Sequence, residues 1–144
     1  MLNIFLDWND LHKKNITPWY SEDVHETLKS HLGSVVRYIN RHRNDTEQHK
    51  KRDIKFLVPL CGKSKDLVHL YEQGFQVIGC ECSDIACEQL FSENKITFDK
   101  LKVNEHFTCF QVYEFNSAIL TVWHFILPIH IFEKRHFDIL FIEH

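Results

Sequence analysis

Two short apolar runs, residues 55–60 (K-F-L-V-P-L) and 75–79 (F-Q-V-I-G), flank a segment whose Leu67, Val68, Leu70 and Tyr71 recur at helical spacing. Strand, helix and strand at this length form the unit of an open parallel sheet. The helix is predicted over residues 64–73, with Gly74 ending it, because glycine enters the left-handed position after a helix without steric penalty. Upstream, Ser21 followed by Glu22 and Asp23 predicts a helix start, with a capping hydroxyl and acids at the positive end of the dipole. Val24, Leu28, Leu32, Val35, Val36 and Ile39 then give that helix one apolar face, interrupted by Gly33. Ser83 is expected to cap a further helix carrying Ile85, Ala86, Leu90 and Phe91. Residues 107–115 and 118–126 are strand-like about Asn116-Ser117, a hairpin whose second arm is expected to be the third strand of the parallel sheet. Residues 137–142 form another apolar run, whereas 40–53 and 95–106 are polar and unperiodic and are read as connections. The first twenty residues hold Phe5, Trp8, Trp19 and Tyr20 without a sustained period, and Pro18 interrupts any helix there. From the residues alone this arm is read as packing its aromatics on the domain. The pattern predicts an α/β fold, a Rossmann-like sheet with helices on both faces.

Chemistry concentrates where the first two strands end. In doubly wound folds the turn after the first strand approaches a ligand through glycine, and an acid closing the second strand accepts ribose hydroxyls. Gly62 and Glu81 occupy those two places. Gly62-Lys63-Ser64 also matches the end of a phosphate-cradling loop, but that motif needs a second glycine five residues earlier, where Leu57 stands. The dinucleotide fingerprint fails as well, having one glycine only. A nucleoside site without a polyphosphate grip is left, and S-adenosylmethionine is a cofactor of that description.

Composition narrows the classes. At 144 residues the chain is expected to form one domain, and 44% hydrophobic content with 13% aromatics supplies a core. A net charge of -3 argues against a general nucleic-acid binder. No apolar run is long enough to span a membrane, and residues 1–10 lack the layout of a secretory signal, so a cytoplasmic protein is expected. The five cysteines, Cys61, Cys80, Cys82, Cys87 and Cys109, are odd in number and contain no C-x-x-C pair, so reduced thiols are expected. Cys80 and Cys82 would share one strand face and Glu81 the other, which leaves too few converging ligands for zinc. The eleven histidines include no H-E-x-x-H pair. No metal site and no catalytic side chain are assigned.

The segment V-P-L-C-G-K at 58–63, Gly74, and V-I-G-C-E-C-S at 77–83 resembles the thiopurine S-methyltransferase family, in which P-L-C-G-K and G-V-E-x-S occur at this spacing. The resemblance extends upstream through Trp8, Thr17, Trp19 and His25, and downstream through residues 88–91 to Phe137-Asp138. It implies a class I S-adenosylmethionine-dependent methyltransferase acting on the sulfur of thiopurines or other small aromatic thiols. It further implies Leu60 and Gly62 at the methionine end of the cofactor, Glu81 on the ribose, Cys82 at the adenine edge, Trp8 in the arm over the cofactor, and Trp19 facing the substrate. Departures are His12 at a family tryptophan, Trp123 and Ile126 where a small polar residue and an acid are usual, and 142–144 in place of Asp-Arg-Gly. Residues 1–144 are thus expected to be a single methyltransferase-like domain with a lid arm at 1–20 and the C-terminal part of the family fold missing. The expected partner is a small-molecule thiol, with neither nucleic acid nor membrane, and the folded chain is expected to be a monomer. The alternative is an inactive truncated form that binds cofactor weakly or serves as an interaction module.

Overall fold

A computed structural model describes residues 8–42, 51–113 and 119–125; the run at 137–142 and the departures at Ile126 and 142–144 lie outside them. In chain order the elements are α1 (Trp8–Lys13), α2 (Glu26–His42), a 3₁₀ turn at Lys51–Asp53, β1 (Lys55–Pro59), α3 (Lys65–Glu72), β2 (Gln76–Glu81), α4 (Asp84–Glu93), β3 (Asp99–Lys102), β4 (Phe107–Tyr113) and β5 (Ile119–Phe125). They build one five-stranded sheet in the order β1-β2-β5-β4-β3. β2 pairs in parallel with both β1 and β5, while β4 is antiparallel to β5 and to β3. The expected hairpin is therefore present, and its second arm is the third parallel strand.

Register decides what each face carries. Val58 pairs with Gly79, Gly79 with Val122 and Val122 with Phe110, so these positions share one face with Val77, Leu120 and Glu81. Leu67 of α3 and Phe91 of α4 pack on that face, and both are fully buried. A Cβ at Gly79 would stand 2.8 Å from both Cys61 Sγ and Leu67 Cδ2, so only glycine lets α3 and the turn after β1 sit this close to β2. Phe91 stacks on Phe98 and Phe110, with centroids 4.8 and 6.3 Å apart. Of the two helical layers expected, the described residues build this one. The opposite face holds Leu57, Ile78, Cys80, Trp123, Cys109 and Leu101.

Three elements differ from the sequence reading. The helix predicted to start after Ser21 starts at Glu26, because Asp66 of α3 accepts a 2.8 Å hydrogen bond from the backbone N–H of His25 and caps α2 from outside its own segment. Ser21 instead accepts from Asp23 N within a turn. The polar connection at 95–106 contains β3, whose four residues are all exposed. Lys100 of that strand bonds Glu88 of α4 and lies 5.0 Å over the Phe110 ring, so a lysine stem does the covering that an apolar residue would do elsewhere. The arm, read as unperiodic, holds the six residues of α1. Among the described residues, no helix is long and apolar enough to cross a membrane.

Candidate cofactor site

The turn leaving β1 is made by two left-handed residues. Leu60 has φ +48° and Gly62 φ +51°; Cys61 between them donates its N–H to Cys80 O, tying the turn to β2. A left-handed leucine is uncommon and costs roughly 1 kcal/mol, yet this one is 69% exposed and packs in no core. An added Cβ at Gly62 would meet nothing within 4 Å, so there is open space on that side of the turn. Ser64 then caps α3 by accepting from Asp66 N.

Glu81 reaches across to this turn. Its side chain is 6% exposed, and Oε2 accepts the Gly62 N–H at 2.7 Å. Oε1 accepts from Cys82 N at 2.8 Å, Ser83 N at 2.9 Å and the Cys82 thiol at 3.3 Å. A buried carboxylate needs such donors, and here they come almost entirely from main chain. The two oxygens are unequal. Among the described residues Oε1 serves three donors and Oε2 one, so Oε2 has lone-pair capacity left for a hydroxyl arriving at the Gly62 side.

The thiols around this carboxylate are held protonated. Burial pushes the Cys82 thiol up to about 12, and the neighbouring Glu81 charge adds to it. Burial and then Glu81 likewise raise Cys61 and Cys87 well above the ordinary thiol range. All five cysteines are free, and Cys61 fills the space beneath the turn. Among the described residues no group of three or more His, Cys, Asp or Glu side chains is placed to hold a metal ion.

The arm reaches the same place. Ser83, which caps α4 by accepting from Ala86 N, donates its hydroxyl to Asn9 Oδ1 at 2.6 Å. Trp8 and Trp19 meet edge to face with centroids 5.4 Å apart, and both are exposed by more than two-fifths. His12 is buried beside Trp19 with ring centroids 6.4 Å apart, and Gln89 of α4 donates to its carbonyl. Glu81, Gly62, Cys82 and Leu60 thus come together at the ends of β1 and β2, with Trp8 beside the Asn9 link. Trp19 joins through Trp8. Asn9, Ser83, Lys63 and His124 were not singled out in the sequence as site residues. The parallel register sets His124 next to Glu81 on the same face and turns Trp123 to the other, so that departure does not crowd the carboxylate.

A parallel βαβ unit with a glycine turn after its first strand and a buried acid closing its second is the nucleoside-binding half of a Rossmann-like fold. The chain belongs to the thiopurine S-methyltransferase family, whose model matches residues 6–127. Relatives named thiopurine S-methyltransferase include those of Shewanella baltica strain OS155 and Shewanella oneidensis, each 50% identical over 54 residues, and that of Shewanella sp. strain MR-7, 52% identical over 54 residues. In each case the matched stretch is 38% of this chain and 25% of the relative, so the alignment spans a quarter of the relatives' length.

Proposed function

We propose that this chain binds S-adenosylmethionine and transfers its methyl group to the sulfur of a small aromatic thiol, with thiopurines as the favoured class. The observation that carries the reading is the 2.7 Å contact between Glu81 and the Gly62 amide, which sets a buried acceptor and a glycine turn on one side of the sheet. That pair suits the sugar of a nucleoside. Glu81 Oε2 would take the ribose hydroxyls while Oε1 keeps the main-chain donors that fix its orientation. The open space at Gly62 and the exposed side chain of Leu60 would receive the methionine end, and Cys82 would border the adenine. The Trp8–Trp19 pair would cover the cofactor and face the aromatic acceptor, whose flat ring is matched by an indole edge or face.

The cofactor supplies a sulfonium-bound methyl already activated for displacement. The protein's part is to hold the acceptor sulfur in line with that methyl and to keep water out. No general base is assigned, because thiols of this class lose their proton readily near neutral pH. The raised thiols of Cys61, Cys82 and Cys87 favour this division of labour: they stay protonated and do not compete as nucleophiles. Their reduced state also suits a cytosolic setting.

The test is transfer of labelled methyl from S-adenosylmethionine to a thiopurine. Turnover by the parent chain, reduced at least about a hundredfold in Glu81→Ala through loss of charge-assisted hydrogen bonds, supports the reading. A parent chain that binds the cofactor but methylates no aromatic thiol contradicts it.

A further inference from the structure

Lys63 is the residue that the cofactor reading leaves unexplained. It follows the glycine turn, where a phosphate-binding lysine would point outward, but it is only 8% exposed. Its ammonium bonds Glu93 Oε1 at 2.7 Å and lies 4.7 Å over the ring of Tyr20. The first contact has a local cause. α4 carries no basic residue in its last turn, and Lys63, with Lys65 on Asn94 Oδ1 at 2.7 Å, brings cations to the negative end of that helix. The second contact is with the arm.

The seat of α1 on α4 carries two unmet polar atoms. His12 Nδ1 and Gln89 Oε1 are buried at the α1–α4 contact with no hydrogen-bond partner among the described residues. Each such orphan opposes the docked state. Against them stand the hydrogen bonds Asn9–Ser83 and Gln89 Nε2–His12 O, and the Lys63–Tyr20 contact. The latter is partly desolvated, since burial and then the Glu93 charge raise the Tyr20 phenol while Lys63 lowers it. A cation over a ring in such surroundings is worth more than one in open water. Tyr20 also closes the turn that carries Trp19, donating its N–H to Thr17 O.

We propose that Lys63 is a positioning residue, fastening the N-terminal arm to the glycine turn by holding the ring of Tyr20 beneath a cation anchored on Glu93. The lysine of the G-K-S sequence then grips an aromatic side chain of its own chain rather than a phosphate. The arm that carries Trp8 and Trp19 is released when that grip is lost. This fastening does not depend on the identity of the ligand.

Limited trypsin digestion of the full chain, with cleavage after the exposed Lys13 and Lys14 followed by mass spectrometry, reads arm release directly. Lys63→Met and Tyr20→Leu should each speed that cleavage by about tenfold, the worth of one such contact. Tyr20→Phe, which keeps the ring, should stay within about twofold of the parent. In the Tyr20→Leu background, Lys63→Met should add nothing further, and tryptophan emission should shift to the red in the two fast variants. An unchanged rate in Lys63→Met, additive effects in the double variant, or a Tyr20→Phe as fast as Tyr20→Leu would overturn the proposal. Should Lys63→Met lose its cooperative thermal transition, the Tyr20→Leu and Tyr20→Phe pair decides alone.

Discussion

Glu81 does two things with one carboxylate. It satisfies the amides of Gly62, Cys82 and Ser83, and among the described residues it leaves Oε2 with one donor, the Gly62 amide. The sequence made legible that Glu81 and Gly62 meet where β1 and β2 end, because an acid closing a strand one helix after a lone glycine suits a nucleoside, but not the main-chain hydrogen bonds that hold the carboxylate. The thiol neighbourhood was legible only as composition: the sequence placed Cys80 and Cys82 on one face but did not show that Cys61 and Cys87 converge on Glu81. That convergence has a pH consequence. The folded chain keeps these thiols protonated above the pH at which unfolded thiols ionise, near 9.0 for an ordinary cysteine. As pH rises past that value the unfolded state loses protons first, so stability falls with pH until the folded thiols ionise, about 12 for Cys82. Tyr20, raised in the same sense, adds to the fall from about pH 10 upward. Urea midpoints under reducing conditions should therefore be nearly level from pH 7 to 8 and clearly lower at pH 10. A midpoint unchanged at pH 10 would show that the thiols are not held as described.

At the scale of elements, what the sequence missed was whatever is held from far away. α2 begins at Glu26 because Asp66, forty-one residues on, accepts the His25 amide, and no local pattern announces that. β3 was read as a connection because a strand with all four residues exposed has no alternation to recognise. It is an edge strand, and lysines on such an edge also discourage pairing with another chain. The elements with an apolar period of their own, α3, α4, β1, β2 and the β4–β5 hairpin, were recognised. The remote cap gives a clean prediction. Asp66→Ala removes the acceptor from a buried position and should lower stability by about 1 to 2 kcal/mol, while Asp66→Asn, which keeps an acceptor oxygen, should recover more than half of that. Thermal unfolding followed by circular dichroism at 222 nm checks both, and equal melting temperatures for Asp66→Ala and the parent would remove the cap from the account.

For the molecule as a whole, the two faces of the sheet have unlike fates. One is packed by α3 and α4 around Val77, Leu90, Phe91 and Phe110; the other presents Leu57, Leu101 and Phe107 to solvent among the described residues. Leu101 is 64% exposed at the β3 edge, so Leu101→Lys should change stability by less than about 0.5 kcal/mol while reducing binding of a hydrophobic dye. A large loss of stability would mean that Leu101 is covered. The parallel pairing of β1 with β2 brings Gly62 and Glu81 together, and the proposed role of this pair is to grip a ribose. Calorimetric titration with S-adenosylhomocysteine and with its analogue lacking the 2′ and 3′ hydroxyls tests it most directly. The parent is expected to prefer the ribose form by roughly tenfold to a hundredfold, as for hydrogen bonds to a charged acceptor, and Glu81→Gln to lose most of that preference. Equal affinity of the parent for both nucleosides, or a preference that survives Glu81→Gln unchanged, would contradict it.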